Sequence, residues 1–113
     1  MSRNVLPGYG VLQKGDYLLS NNRNFKAIFQ DDGNFVIYTW KPIWASNTGG
    51  CRNADRVVMQ GDCNLVMYSN SDNPLWAAGT NRCGGPYPGV HAVLQDDGAL
   101  VVQNTGEQLW SSK

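Results

Sequence analysis

One nine-residue phrase recurs through the chain and constrains its fold more than any other feature. It reads Gln30-Asp31-Asp32-Gly33-Asn34-Phe35-Val36-Ile37-Tyr38, then Gln60-Gly61-Asp62-Cys63-Asn64-Leu65-Val66-Met67-Tyr68, then, degraded, Gln95-Asp96-Asp97-Gly98-Ala99-Leu100-Val101-Val102-Gln103. The leading Gln recurs after 30 residues and again after 35, and a Trp trails each copy by 14, 16 and 15 residues, at Trp44, Trp76 and Trp110. A fixed period of this length marks one supersecondary unit that cannot bury its apolar face alone. Three such units around an axis are expected to bury their Trp residues together, because Trp supplies a large buried area.

Composition agrees with short strands and turns. The chain has 113 residues, enough for one domain, and 13 of them are Gly. Its apolar runs are brief and interrupted by Gly or Asn, with no sustained helical period, so it reads as all-β. Within a unit, Lys26 to Gln30 and Asn34 to Tyr38 form a hairpin around Asp31-Asp32-Gly33. Alternation along the return strand places Phe35 and Ile37 inward and Asn34, Val36 and Tyr38 outward. The second unit turns Leu65 and Met67 inward, the third Leu100 and Val102. Gln30, Asp32, Asn34, Val36 and Tyr38 can then converge on one shallow patch, as can Gln60, Asp62, Asn64, Val66 and Tyr68.

The chemistry of this set suits a neutral, polyhydroxylated ligand. Gln, Asn and Tyr both donate and accept, Asp accepts only, and Val offers a small apolar spot. Asp and Asn also serve turn geometry, and Tyr is common in strands, so individual members have structural readings. Turn chemistry does not account for the repeated Gln and Tyr. The third copy keeps Gln95, Asp97 and Val101 but has Ala99 for Asn and Gln103 for Tyr, so this patch is expected to bind weakly or not at all. The nine Lys and Arg equal the nine Asp and Glu, which disfavours a phosphate-tracking surface and hence nucleic acid. A metal site needs clustered carboxylates or His and Cys at ligand spacing, and neither intact copy supplies them. No metal or other cofactor is expected. No window is apolar and long enough to span a bilayer. Pro7, Gly8, Gly10, Lys14, Gly15 and Asp16 exclude a secretory apolar stretch at the N-terminus.

These residues resemble the bulb-type, snowdrop-like mannose-binding lectins, known from monocot bulbs and also from animals, including fish mucus. Two intact Q-x-D-x-N-x-V-x-Y motifs, the run K-P-I-W-A-S-N-T-G-G from Lys41 to Gly50, and the threefold repeat carry the likeness from about Gly10 to Trp110. It implies a single domain over residues 1–113, folded as a β-prism II of three four-stranded antiparallel sheets with pseudo-threefold symmetry. It implies no enzyme activity. Asp32 with Asn34, and Asp62 with Asn64, would hold the axial 2-hydroxyl of α-mannose. Gln30 and Gln60 would hold the 3-hydroxyl, Tyr38 and Tyr68 the 4-hydroxyl, and Val36 and Val66 would touch ring carbons. Glucose, with an equatorial 2-hydroxyl, leaves the Asp and Asn groups unmatched. Affinity for one sugar is expected on the order of millimolar, so function would be multivalent, as in agglutination or defence. Plant relatives pair by exchanging C-terminal strands. A homodimer is expected here, though only three residues follow Trp110. Either the chain is written in mature form, or it acts in the cytosol, or it leaves the cell by another route. The expected home is extracellular, as in mucus, without a cleavable signal peptide in this sequence, and the cytoplasm is the alternative.

Within that family a Cys in the motif turn pairs with one after the next Trp phrase. The resemblance therefore implies a Cys63–Cys83 disulfide, worth about 3 kcal/mol for a loop of about 20 residues. Cys51 has Gly33 where its partner would stand and is expected to be a free thiol. Three reduced cysteines remain the alternative, favoured by a cytosolic home. Two other functional classes compete. An enzyme would have to use His91, the single His, or a second carboxylate for glycoside hydrolysis, yet Asp31 has a counterpart in Asp96 and none at Gly61. A protein-binding module with decayed sugar sites is opposed by the intact motifs. A β-trefoil is the alternative fold.

Overall fold

The computed structural model describes residues 3–80 and 89–113. Its strands are β1 (Val5–Pro7), β2 (Val11–Gln13), β3 (Tyr17–Leu19), β4 (Lys26–Phe29), β5 (Phe35–Tyr38), β6 (Pro42–Ala45), β7 (Ala54–Met59), β8 (Leu65–Ser69), β9 (Pro74–Ala77), β10 (Val90–Leu94), β11 (Leu100–Asn104) and β12 (Glu107–Ser111). They form three four-stranded antiparallel sheets, ordered β3-β4-β5-β6, β2-β7-β8-β9 and β1-β10-β11-β12. The molecule is an all-β prism, a β-prism II. Among the described residues no helix is long and apolar enough to cross a membrane.

Each repeat supplies three strands, and the fourth comes from elsewhere. The N-terminal segment runs past all three sheets, leaving β1 in the third, β2 in the second and β3 in the first. Its three strands have three residues each, and the middle residue is always Leu: Leu6, Leu12 and Leu18. All three are at most 1% exposed. A residue flanked on both sides by outward neighbours is the pattern a short strand must have when one face meets the core. Gly10 lies between β1 and β2 because a Cβ there would strike Leu6 and the Pro7 carbonyl.

The core forms where the three inner faces meet. Phe35 with Ile37, Leu65 with Met67, and Leu100 with Val102 are all at most 1% exposed, as the alternation requires. Opposite them lie Ala27 and Phe29, Val57 and Met59, and Ala92 and Leu94, which are equally buried. Trp44, Trp76 and Trp110 gather in a closed triangle, with ring centroids 5.5, 5.7 and 5.7 Å apart and edge-to-face geometry. Contrary to expectation they are only half-buried. Each sits on an edge strand (β6, β9 or β12), which has a neighbour on one side alone. Pro42 and Pro74 open two of these edge strands, where a missing N–H costs no ladder bond.

Candidate sugar-binding patches

Each motif turn closes the same way. In the first copy Gly33 N–H donates to the Gln30 carbonyl at 3.0 Å and Gln30 N–H to the Asn34 carbonyl at 2.8 Å. The second copy repeats this with Cys63 to Gln60, and the third with Gly98 to Gln95. The residue at the third turn position is left-handed in all three: Gly33 at φ 89°, Cys63 at 76°, Gly98 at 88°. Gly33 is obligatory for a further reason. A Cβ there would collide with the Cys51 carbonyl, which folds over the turn from the loop after the first Trp phrase. Gly61 breaks the Asp31/Asp96 pattern because the Tyr9 ring fills the space a side chain would need.

The Asp of the motif has a structural duty in every copy. One carboxylate oxygen accepts the backbone N–H two residues on: Asp32 from Asn34 and Asp62 from Asn64, both at 3.0 Å, and Asp97 from Ala99 at 2.9 Å. The turn reading of Asp is therefore correct as far as that oxygen goes. It also explains why Asp97 persists where Asn and Tyr are lost. All three residues are exposed; the second oxygen of Asp32 meets no other side chain among the described residues, whereas both oxygens of Asp62 also lie within reach of the Gln60 amide.

The Asn is held by its oxygen alone. Asn34 Oδ1 accepts from Thr48 N–H and the Ser46 hydroxyl, each at 3.2 Å, and Asn64 Oδ1 accepts from Gly79 and Thr80 N–H at 3.0 and 3.2 Å. With the oxygen committed, the Nδ2 amide is left as a donor. Thr48 and Thr80 make this possible: each hydroxyl donates at 2.6 Å to the carbonyl of the turn residue, Gly33 or Cys63. No role for either threonine was read from the sequence. Their signal was an identical offset from Trp44 and Trp76.

The far end of each patch is closed by Gln and Tyr. Gln30 hydrogen-bonds the Tyr38 hydroxyl, and Gln60 that of Tyr68. The Gln60 amide meets all its neighbours with Nε2 turned to Asp62, 3.0 and 3.3 Å from the two oxygens, and Oε1 accepting from Tyr68. Gln, Asp, Asn and Tyr thus come together at both intact motifs. Val36 and Val66 behave differently: they are 3% exposed. Each is the centre of an apolar row across the outer sheet face, Tyr17–Ile28–Val36–Ala45 and Val11–Val58–Val66–Ala77. Val101 holds the same place beside Val93 and Val5, so Val persists in the third copy for packing.

In the third copy Gln95, Asp97 and Val101 stand where their counterparts stand, but Ala99 is buried and offers no amide. Lys113 Nζ lies across the turn and donates to the Asp97 carbonyl at 2.5 Å. The solitary His91 faces Gln103, its Nδ1 3.0 Å from the Gly89 carbonyl. Among the described residues no three His, Cys, Asp or Glu side chains gather as a metal site would require. Cys51 is a free, half-buried thiol, as expected. Cys63 is buried in the second turn, and the pairing expected for it falls on Cys83, outside the described residues.

The prism repeats one hairpin three times, with the polar set intact in two copies. No protein-family model matches the chain. By sequence it is 46% identical over 109 residues to the B-type lectin plumieribetin of Scorpaena plumieri, covering 96% of this chain and 94% of that protein. It is 42% identical over 73 residues to the mannose-specific lectin of Galanthus nivalis, covering 64% of this chain and 45% of that one. Monomeric monocot mannose-binding lectins from Gastrodia elata superpose with a TM-score of 0.83 at 33% identity, over 96% of both chains. The snowdrop mannose-specific agglutinin, solved with methyl-α-D-mannoside, gives 0.74 at 38% identity over 90% of both. The chain belongs to the bulb-type (B-type) lectins, a family of carbohydrate-binding proteins without enzymatic activity.

Proposed function

We propose that the protein binds α-D-mannose and mannose-rich glycans, without a metal, through the Gln30–Tyr38 and Gln60–Tyr68 patches. The observation that carries this reading is the pair of committed groups at each turn. The backbone claims Asn Oδ1 and one Asp oxygen, which leaves an amide donor beside a carboxylate acceptor. A hydroxyl can donate to the carboxylate and accept from the amide together, and the charged acceptor makes that bond the stronger of the two. The axial 2-hydroxyl of mannose fits this pair, the Gln amide serves the 3-hydroxyl and the Tyr hydroxyl the 4-hydroxyl. The groups are ordered before the ligand arrives, so binding costs little further side-chain entropy. The mannose-specific names of several relatives support the choice of sugar.

The test is the double variant Asp32→Asn plus Asp62→Asn. Asn retains the oxygen that accepts the turn N–H but replaces the outward acceptor with a donor. Retention on immobilised mannose should be lost while the circular dichroism spectrum and melting temperature stay close to those of the parent. Elution of this variant by free mannose, as for the parent, would overturn the assignment. Binding in EDTA should equal binding in calcium, the parent protein serving for both.

Two patches per chain allow glycans to be bridged, and a homodimer would double them, so the proposal includes multivalent action in agglutination or defence outside the cell. The proposal also includes the Cys63–Cys83 disulfide. Alkylation of the unreduced, unfolded protein should label Cys51 alone; labelling of all three cysteines would remove it.

A further inference from the structure

Between β3 and β4 runs Ser20-Asn21-Asn22-Arg23-Asn24-Phe25, a polar stretch that the sugar patches leave unused. It has no counterpart in the other sheets. Of the three N-terminal strands only β3 passes directly into the strand it pairs with, whereas β1 and β2 pair with strands far along the chain. This loop and the segment leading into β1 enclose a cleft of about 300 Å³, lined by Arg3, Asn4, Leu19, Ser20, Asn21 and Arg23. None of these residues belongs to a motif patch.

Backbone hydrogen bonds fix the walls. Leu19 N–H donates to the Arg3 carbonyl at 2.7 Å and Leu94 N–H to the Asn4 carbonyl at 2.8 Å, so residues 3 and 4 bridge the first and third sheets. Arg23 N–H closes the loop on the Ser20 carbonyl at 2.9 Å. Asn22 pins the loop to the third motif turn: its backbone N–H donates to Asp96 Oδ1 at 2.9 Å and its Nδ2 to the Asp96 carbonyl at 3.0 Å. The side chains of Arg3, Asn4, Asn21 and Arg23 make no hydrogen bond or ion pair among the described residues. Arg56, by contrast, is tied to Asp72 at 2.6 Å and to Asp55 at 3.0 Å. Two carboxylates stand near the cleft. Asp96 is engaged by Asn22, and Asp16, on the far side of Arg3, accepts the Gln13 N–H at 2.9 Å. Neither forms an ion pair with Arg3 or Arg23.

We propose that this cleft is a separate ligand site for an oxyanion carried on a sugar: a sulfate ester, a phosphate ester or a carboxylate. Two guanidinium groups, charged at every physiological pH, present N–H forks that match such oxygens in pairs. Asn4 and Asn21 add carboxamides that both donate and accept, which suits the hydroxyls beside the anion. Leu19 is the single apolar residue of the lining, so a nucleobase or an acyl chain finds no surface to cover. The cleft is also wider than a bare oxyanion needs and has room for the ring that bears it. With Asp16 and Asp96 nearby and no net formal charge on the chain, the anion is held by direct contact rather than by a broad positive field. The site goes beyond the mannose reading and does not depend on it.

The experiment titrates the isotope-labelled full chain, in excess methyl α-mannoside, with galactose 6-sulfate, galactose 6-phosphate, galacturonic acid, plain galactose and inorganic sulfate. At least one acidic sugar should shift the side-chain NMR signals of Arg3, Asn4, Asn21 and Arg23, and galactose should shift none of them. Which acidic sugar responds identifies the anion. Arg3→Gln and Arg23→Gln should each weaken that binding about 3- to 10-fold, as expected of exposed charge-assisted contacts. Melting temperature and retention on immobilised mannose should stay as in the parent, since neither side chain supports the fold. Raising salt from about 0.01 M to about 0.1 M, which shortens the screening length from about 30 Å to about 10 Å, should also weaken it. No response to any acidic sugar, an equal response to galactose, or binding that survives both substitutions would overturn the site. A response to inorganic sulfate alone would reduce the cleft to the capture of an adventitious ion only and would overturn it as well.

Discussion

At Asp32 the two carboxylate oxygens have different fates, one bound to the turn and one free, and this division decides how the motif should be read. A residue can be kept for folding with one atom and for binding with another. The third copy separates the two roles, since Asp97 retains the turn bond beside an Ala that has no amide to offer. Gly33 is a residue-scale constraint of another kind: its φ of 89° disfavours a side chain, as it does for Cys63 at 76°, and the overlying Cys51 carbonyl leaves no room for one. Gly33→Ala should lower stability by about 1–3 kcal/mol, seen as a shifted urea midpoint with an unchanged slope. It should also weaken sugar binding at the first patch, since Thr48 anchors on the Gly33 carbonyl. An unchanged midpoint would show that the turn relaxes freely.

At the scale of elements, the N-terminal strands hold the three sheets together. β2 pairs only with β7 and meets the core through Leu12 alone. Leu12→Ala should therefore cost about 2–5 kcal/mol and leave the β7 edge open to pairing with other chains. Thermal melts, followed by light scattering on heating, check both effects. A mild, aggregation-free variant would show that β2 is dispensable. The hairpins themselves were legible from sequence, because alternation and turn residues are local signals. Strands of three residues are too short to show a period, so β1, β2 and β3 were not. Leu6, Leu12 and Leu18 do recur every six residues, but only their dispersal into three different sheets gives that spacing a meaning.

For the whole molecule, symmetry of fold coexists with asymmetry of surface. The three sheets share one backbone plan, yet the first ends beside the exposed Trp40, the second carries the Arg56 ion pairs against Tyr68, and the third has lost its amide and phenol. Asp72, then Asp55, raise the pKa of Arg56 above its ordinary value by accepting its hydrogen bonds, so it stays charged at any physiological pH. These exposed pairs add little stability; their effect is to occupy space. Calorimetry with methyl α-mannoside should count two sites per chain, and a count of three would show that Ala99 and Gln103 are tolerated. A neutral ligand on a protein of zero formal net charge should bind equally at low and high salt. A marked salt dependence would indicate recognition of a charged glycan instead.

The amino-acid order by itself determined the strand pattern, the inward and outward faces, the threefold repeat, and the motif turns at which Gln, Asp, Asn and Tyr recur, because each depends on neighbours a few positions apart. Family membership was also legible, from polar side chains repeated at fixed offsets. Only the tertiary structure decided which sheet each N-terminal strand joins, that the valines serve packing more than contact, that Thr48 and Thr80 aim the asparagines, and that the tryptophans remain half-buried. Those outcomes depend on residues brought together from distant parts of the chain, where burial and the commitment of hydrogen bonds follow from packing and leave no periodic trace in the sequence.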